Sequence, residues 1–178
     1  MSVCPTVSAK RTRNRTIRHI EDITVVVIDV QDLPAKHTLC TAKTLMCIRG
    51  ATEYEGRRVP TDKIDAQLRA GRRLCFYMIH VDTVICRLLL QVQQGMAHIN
   101  DVDCYTANPR MQPRAYLLFH QIALLLQQIG VVRISLMVLE GDRSVFRFYS
   151  GLGFISVTRG VMQADVAAVL AATTRIFT

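Results

Sequence analysis

The 178-residue sequence predicts one α/β domain built on a mixed sheet. Three observations carry that expectation. Half of the residues are apolar, which is enough for a real core. Short β-branched runs alternate with segments of helical periodicity. In the middle of the chain strand-like runs follow one another directly, which needs antiparallel hairpins. Further on, strand, helix and strand alternate, which needs a right-handed parallel crossover.

The elements follow in order. "DITVVVIDV" (22–30) is β-branched and apolar and reads as a buried strand. Asp32 and Pro34 open a helix with Leu39, Ala42 and Met46 on one stripe, and Gly50 closes it. "ATEYEGRRVP" (51–60) reads as a polar loop. "TDKIDAQLRAG" (61–71) is a second short helix, with Thr61 as N-cap and Gly71 past its end. "RLCFYMIH" and "TVICRLLLQV" form an antiparallel hairpin around Asp82, and a third strand runs from 96 to 106 after Gly95. Two prolines make "ANPRMQP" irregular. The longest helix spans 114–129, with Leu118, Ile122, Leu125, Leu126 and Ile129 facing inward and Gly130 at its end. "VVRISLMVL" is a strand, Asp142 caps a helix running to about Ser150, and "GFISVTR" is another strand. Residues 161–172 read as helical, and "TRIFT" has the composition of a last short strand. The order is βααβββαβαβ, with room for that final strand.

Charge and cysteines narrow the classes. The net charge of +8 is uneven, because "KRTRNRTIR" (10–18) holds five basic residues and no acid. Residues 1–18 read as a basic, solvated tail and 19–178 as the folded domain. A nuclear import signal and a nucleic-acid contact are the other readings of such a run. Cys4, Cys40, Cys47, Cys75, Cys86 and Cys104 include no C-x-x-C pair, and the histidines show no metal spacing, so no metal site is expected. No secretory apolar segment follows Met1, and no apolar run reaches the ~18 residues of a membrane span. The expectation is free thiols in a reducing compartment, cytoplasmic or, through the basic run, nuclear.

From residue 110 onward the spacing becomes specific. Arg110, Met111, Gln112, Pro113, Arg114 and Ala115 lead into the long helix and open it. Gly130, Leu136, Val138, Asp142, Val145, Tyr149, Gly153 and Phe154 follow without a gap. This segment and the element order resemble the GNAT superfamily of acyl-CoA-dependent N-acyltransferases. The family pattern is R/Q-x-x-G-x-G/A, a helix ended by Gly, an L-x-V strand, an N-x-x-A helix, Tyr and Gly-Phe. Pro113 stands where the pattern has its first glycine, Asp142 replaces Asn and Val145 replaces Ala.

The resemblance implies a GNAT-like fold and transfer of an acetyl group from acetyl-CoA to a primary amine, on a small molecule or a protein, by direct attack. It implies that Arg110 to Ala115 cradle the pyrophosphate, as backbone N–H groups at a helix N-terminus do. It places Cys104, Tyr105 and Thr106 beside the pantetheine and Asp142 at the second helix on the cofactor slot. Tyr149 would protonate the leaving thiolate, and Asp103 or Asp101 would take the proton of the amine. Glu53, Tyr54 and Glu55 would border the acceptor. The residue types alone also fit a packed tyrosine ring and two solvated aspartates on one strand face. A GNAT-fold binding protein without catalysis and a nucleic-acid-binding module led by residues 10–18 are the rival classes. The second has little support, since only 6% of residues are aromatic.

Overall fold

The computed structural model describes residues 23–33, 45–55, 60–80, 83–104 and 112–177. Eight strands form one mixed sheet: β1 (Thr24–Asp29), β2 (Thr52–Glu55), β3 (Leu74–His80), β4 (Thr83–Gln93), β5 (Met96–Cys104), β6 (Arg133–Met137), β7 (Ile155–Thr158) and β8 (Val161–Asp165). Their order across the sheet is β2-β1-β3-β4-β5-β6-β8-β7. Every neighbouring pair is antiparallel except β5 and β6. The four α-helices of the described residues are α1 (Thr61–Arg69), α2 (Gln112–Gln128), α3 (Arg143–Gly151) and α4 (Val166–Phe177).

Period-two alternation gives the sheet two apolar faces. One carries Val25, Phe76, Leu88, Ile99 and Ile134 and packs against α1, α2 and α4 through Ile64, Leu68, Leu118, Ile122, Leu125 and Val169. The other carries Val26, Ile28, Cys75, Tyr77 and Ile79, and Leu45 and Ile48 cover it. The long strands β3 and β4 are apolar on both faces, as strands covered on both sides must be. Of the inward stripe predicted for α2, Leu118, Ile122, Leu125 and Leu126 are fully buried and Ile129 is buried just past the helix end, and burial extends around most of the helix to Leu117, Phe119 and Ala123. On the flank that meets α4, His120 Nδ1 lies 2.8 Å from Thr173 Oγ1. The Thr173 hydroxyl also reaches the Val169 carbonyl at 2.8 Å and the Leu170 carbonyl at 3.1 Å, so it ties α2 to the backbone of α4.

Four sequence expectations change. Residues 52–55 of the expected loop are β2, pairing Val25 with Tyr54 and Val26 with Glu53. Only one of its four residues is apolar, so the alternation is invisible to composition. Residues 161–165 of the expected helix are β8, inserted between β6 and β7, and the helix proper starts at Val166. The expected final strand in "TRIFT" is instead the end of α4, which runs to Phe177. "VMQAD" satisfies a helical pattern as well as a strand pattern, and only pairing on both sides decides for the strand. Thr61 is the first helical residue and not the N-cap; Pro60 holds that place and makes no side-chain cap. The helix expected after Asp32 falls largely outside the described residues, which show a 3-10 turn at Val30–Asp32 and a helical turn at 45–46.

Three of the helices stop in the same way. The N–H of Arg72, Val131 and Phe154 each reaches back to a carbonyl five residues earlier, and the N–H of the glycine before each reaches back three. These paired bonds are the Schellman motif, and the glycine takes the left-handed conformation it requires. Gly153 is the most constrained, with φ +93° and Ala168 of α4 against it. A methyl group there would lie 3.2 Å from the Ala168 β-carbon. Gly153→Ala should therefore destabilise the fold by ~1–2 kcal/mol, the cost of a left-handed L-residue. Urea unfolding tests this, and an unchanged midpoint would contradict it.

Candidate functional site

β5 and β6 pair in parallel only from Met96 with Arg133 to Ile99 with Leu136. Among the described residues, β5 continues beyond that point to Cys104 paired with β4 alone, and Met137 of β6 pairs with β8 alone. The register of β4 against β5 shifts there, since Leu90 faces Ile99 while Leu89 faces Asp101, which leaves Asn100 as a bulged residue. The pairing of the two strands thus stops part-way, which leaves a slot in the ladder in the middle of the sheet. Met137 and Leu139 stand at its β6 rim with 82% and 87% of their surface exposed, an unusual state for large apolar side chains in an interior strand and its extension. A hollow of about 330 Å³ opens where the chain leaves β6 for α3, lined by Val138, Asp142, Phe146, Ser156 and Gly160.

One face of the sheet brings Asp101 and Asp103 to the slot. Both bond the same atom, Arg87 Nη2 on β4, at 2.8 and 2.6 Å. Arg87 is only 15% exposed, whereas the two carboxylate side chains are 42% and 46% exposed. The shared-face placement predicted from the sequence is therefore realised, with a basic partner that the sequence reading missed. A signal for it exists: Arg87 is a lone charge within the apolar run "TVICRLLL". Tyr77 faces Arg87 from β3 and is 3% exposed. Burial pushes the neighbouring Cys75 thiol up to about 12, against a lowering hydrogen bond with Tyr77, so that sulfur stays protonated at neutral pH.

The opposite face brings Tyr149. It is half-buried on α3 and packs against the helix-covered core. Its ring meets those of Phe119, Phe148 and Phe154 edge to face at 5.8, 5.1 and 5.6 Å. The apolar face predicted for α3 exists in Val145, Phe148, Tyr149 and Leu152, with Leu152 fully buried. Tyr116 meets Phe148 at 5.1 Å with the rings tilted by 44°, which docks the start of α2 against α3. The first turn of α2 contains no acid, so its positive end is not cancelled from within. Pro113 lies in that turn and brings no N–H to it.

The other predicted residues divide. Cys104 ends β5, and Gln112, Pro113 and Arg114 lie in the first turn of α2, while Ala115 is buried. Tyr105, Thr106, Arg110 and Met111 fall outside the described residues. Glu53, Tyr54 and Glu55 are strand residues rather than a loop. Tyr54 points into the helix-covered core at 5% exposure and has no surface to offer a substrate, and burial pushes its phenol above the usual range. Glu53 and Glu55 are exposed on the other face. Among the described residues no helix is long and apolar enough to cross a membrane.

Asp142 acts as the N-cap of α3. It accepts from the Ser144 hydroxyl at 2.8 Å and the Val145 N–H at 3.2 Å. These bonds, the hydroxyl first, hold its carboxyl below the ordinary range. A depressed native pKa stabilises the fold above the unfolded value of ~3.9 and loses that contribution as pH falls through the native value. Asp142→Ala should therefore melt lower than the parent at pH 7, with the gap shrinking below about pH 4. A gap that stays constant down to pH 3 would show that the charge plays no part.

No family model and no curated protein matches the chain. Among solved structures it is similar to the ribosomal-protein-S18-alanine N-acetyltransferase from Escherichia coli, at 21% identity over 59% of this chain and 76% of that one, with a TM-score of 0.47. It is also similar to the PaiA N-acetyltransferase from Thermoplasma acidophilum in complex with coenzyme A, at 18% identity over 51% and 59% and a TM-score of 0.44. An acetyltransferase of the GNAT family from Staphylococcus aureus gives 15% identity over 59% and 75% and a TM-score of 0.46. The likeness is one of fold alone.

Proposed function

We propose that this chain is a GNAT-type N-acetyltransferase that moves an acetyl group from acetyl-CoA to a primary amine. The observation that carries the reading is the slot between β5 and β6, with two carboxylates on one face of the sheet and a tyrosine on the other. Such a slot joins the two faces through an otherwise continuous sheet. Direct transfer needs donor and acceptor held together at one reacting carbon, and a slot of this kind lets the two reach it from different faces of the sheet.

The residues divide the work by face. The parted segment of β5, from Asp101 to Cys104, is paired only with β4 and offers its other backbone edge to the pantetheine arm. The N-terminus of α2, with Arg110 and Arg114 close by in sequence, suits the pyrophosphate. Asp103, with Asp101 beside it, accepts the proton that the amine nitrogen gives up as its bond to the acetyl carbon forms. The carbon–sulfur bond breaks, and Tyr149 gives its proton to the leaving thiolate. A GNAT-fold protein that binds without catalysis remains a second reading, favoured by Pro113, which supplies one N–H fewer to the phosphates.

Two measurements test this. Calorimetric titration should give saturable binding of acetyl-CoA, and at ~100 times Kd the ligand should add about 2.7 kcal/mol of stability and raise Tm. No heat and no shift at millimolar acetyl-CoA would remove the proposal. Tyr149→Phe should lower kcat by ~10²–10⁴-fold with acetyl-CoA affinity retained. A variant that turns over at the parent rate would leave Tyr149 as a packing residue only. Binding without turnover in the parent, against a panel of amines, would favour the second reading.

A further inference from the structure

We infer that Arg87 is the positioning residue of this site, holding Asp101 and Asp103 as one unit in which Asp101 balances the guanidinium and Asp103 is left as the base. The inference rests on the acetyltransferase reading and deepens it.

The geometry is specific. Arg87 Nη2 carries two hydrogens, and two carboxylates 2.8 and 2.6 Å away take one each. Asp103 stands directly opposite Arg87 in the register, and Asp101 is opposite Leu89, the next residue on that face. Two same-face residues of a strand are ~7 Å apart along the chain. Left alone, these two anions would repel, and each has enough exposure to turn to water. The Arg87 side chain, 15% exposed, stands between Tyr77 and the aspartates in the register, where water screens it little. It converges both carboxylates on one point and fixes their rotamers. The triad keeps one net negative charge, which is what a base facing a cationic amine requires. The bulge at Asn100 lies just before this pair and sets which face the acids occupy, because one unpaired residue inverts the alternation of everything beyond it. Of the two acids Asp103 lies further along the parted segment, closer to the end of β5.

A charge-balance cycle tests this with acetyl-CoA as donor and spermidine and a lysine-containing peptide as acceptor probes. Arg87→Gln should lower kcat by ~10–100-fold, the scale of a displaced catalytic group, with KM for acetyl-CoA unchanged. Arg87→Lys should recover part of the loss, since it restores the charge without the fork. The double variant Arg87→Gln/Asp101→Asn should recover most of it, because the second anion that needed the counter-charge is gone. Arg87→Gln/Asp103→Asn should recover nothing. Melting curves of all variants show which are folded, and Arg87→Lys carries the test if Arg87→Gln is not. Parent-like kcat in Arg87→Gln would overturn the proposal. So would purely additive losses in the Asp101 double variant, or rescue by Asp103→Asn. A parent protein that neither binds nor turns over acetyl-CoA would instead sink the acetyltransferase reading, and the role of Arg87 with it.

Discussion

Parallel pairing between β5 and β6 is brief, and much of the molecule follows from where it begins and ends. A parallel pair cannot be closed by a tight turn, so the chain must leave the sheet, cross it and return. That crossover carries α2, which is buried on nearly every side because it packs on the sheet below and on α4 beside it. The pairing ends after Ile99 and Leu136. Past that point each strand still has a partner on its other side, so neither unfolds. The sheet divides into two wings, β2-β1-β3-β4-β5 and β6-β8-β7, joined at a short base.

The division makes the slot, and the slot makes the two faces chemically unequal. On one side the helices supply an aromatic cluster around Tyr149 and the N-terminus of α2. On the other, three charged side chains sit at the edge of the second apolar cluster. Arg72 with Asp29 buries its carboxylate, but three other ion pairs lie further out. Arg159 with Glu140 is exposed, Arg69 with Asp65 is an i,i+4 helix pair, and Arg133 is 3.8 Å from Asp165. Contacts of that kind contribute ~0–1 kcal/mol each. Arg87 differs because its guanidinium is largely withdrawn from water while its acids are not, so it is held by them and aims them.

The spacing of Tyr149 and Gly153-Phe154 has a structural cause that is independent of chemistry. Tyr149 supplies the carbonyl that closes α3, Gly153 takes the left-handed position, and Phe154 returns its N–H to Tyr149 and packs its ring against the tyrosine ring. Tyr, then Gly and Phe four and five residues on, is a helix stop with its apolar clasp. The cap fixes the tyrosine backbone and holds its ring in an aromatic cluster. A group so held can be aimed with little loss of side-chain entropy, which suits a proton donor as well as a core ring. The motif therefore accounts for the precision of the position without reference to the hydroxyl.

The sequence by itself determined the mixed α/β class, the β3–β4 hairpin, the inward stripe of α2, the cap at Asp142 and the common face of Asp101 and Asp103. Each is written in local periodicity or in residue types with one backbone preference, and such signals do not need the rest of the chain. Tertiary structure decided the remainder. β2 is a strand because β1 offers it an edge, and "VMQAD" is a strand because β6 and β7 flank it; neither pattern excludes the alternative without those partners. Tyr54 went to the core when the pairing with Val25 fixed its parity. Arg87 became part of the site through a cross-strand register that no window of sequence contains. The slot itself is the absence of pairing between two strands 30 or more residues apart, and an absence between distant segments leaves no local trace.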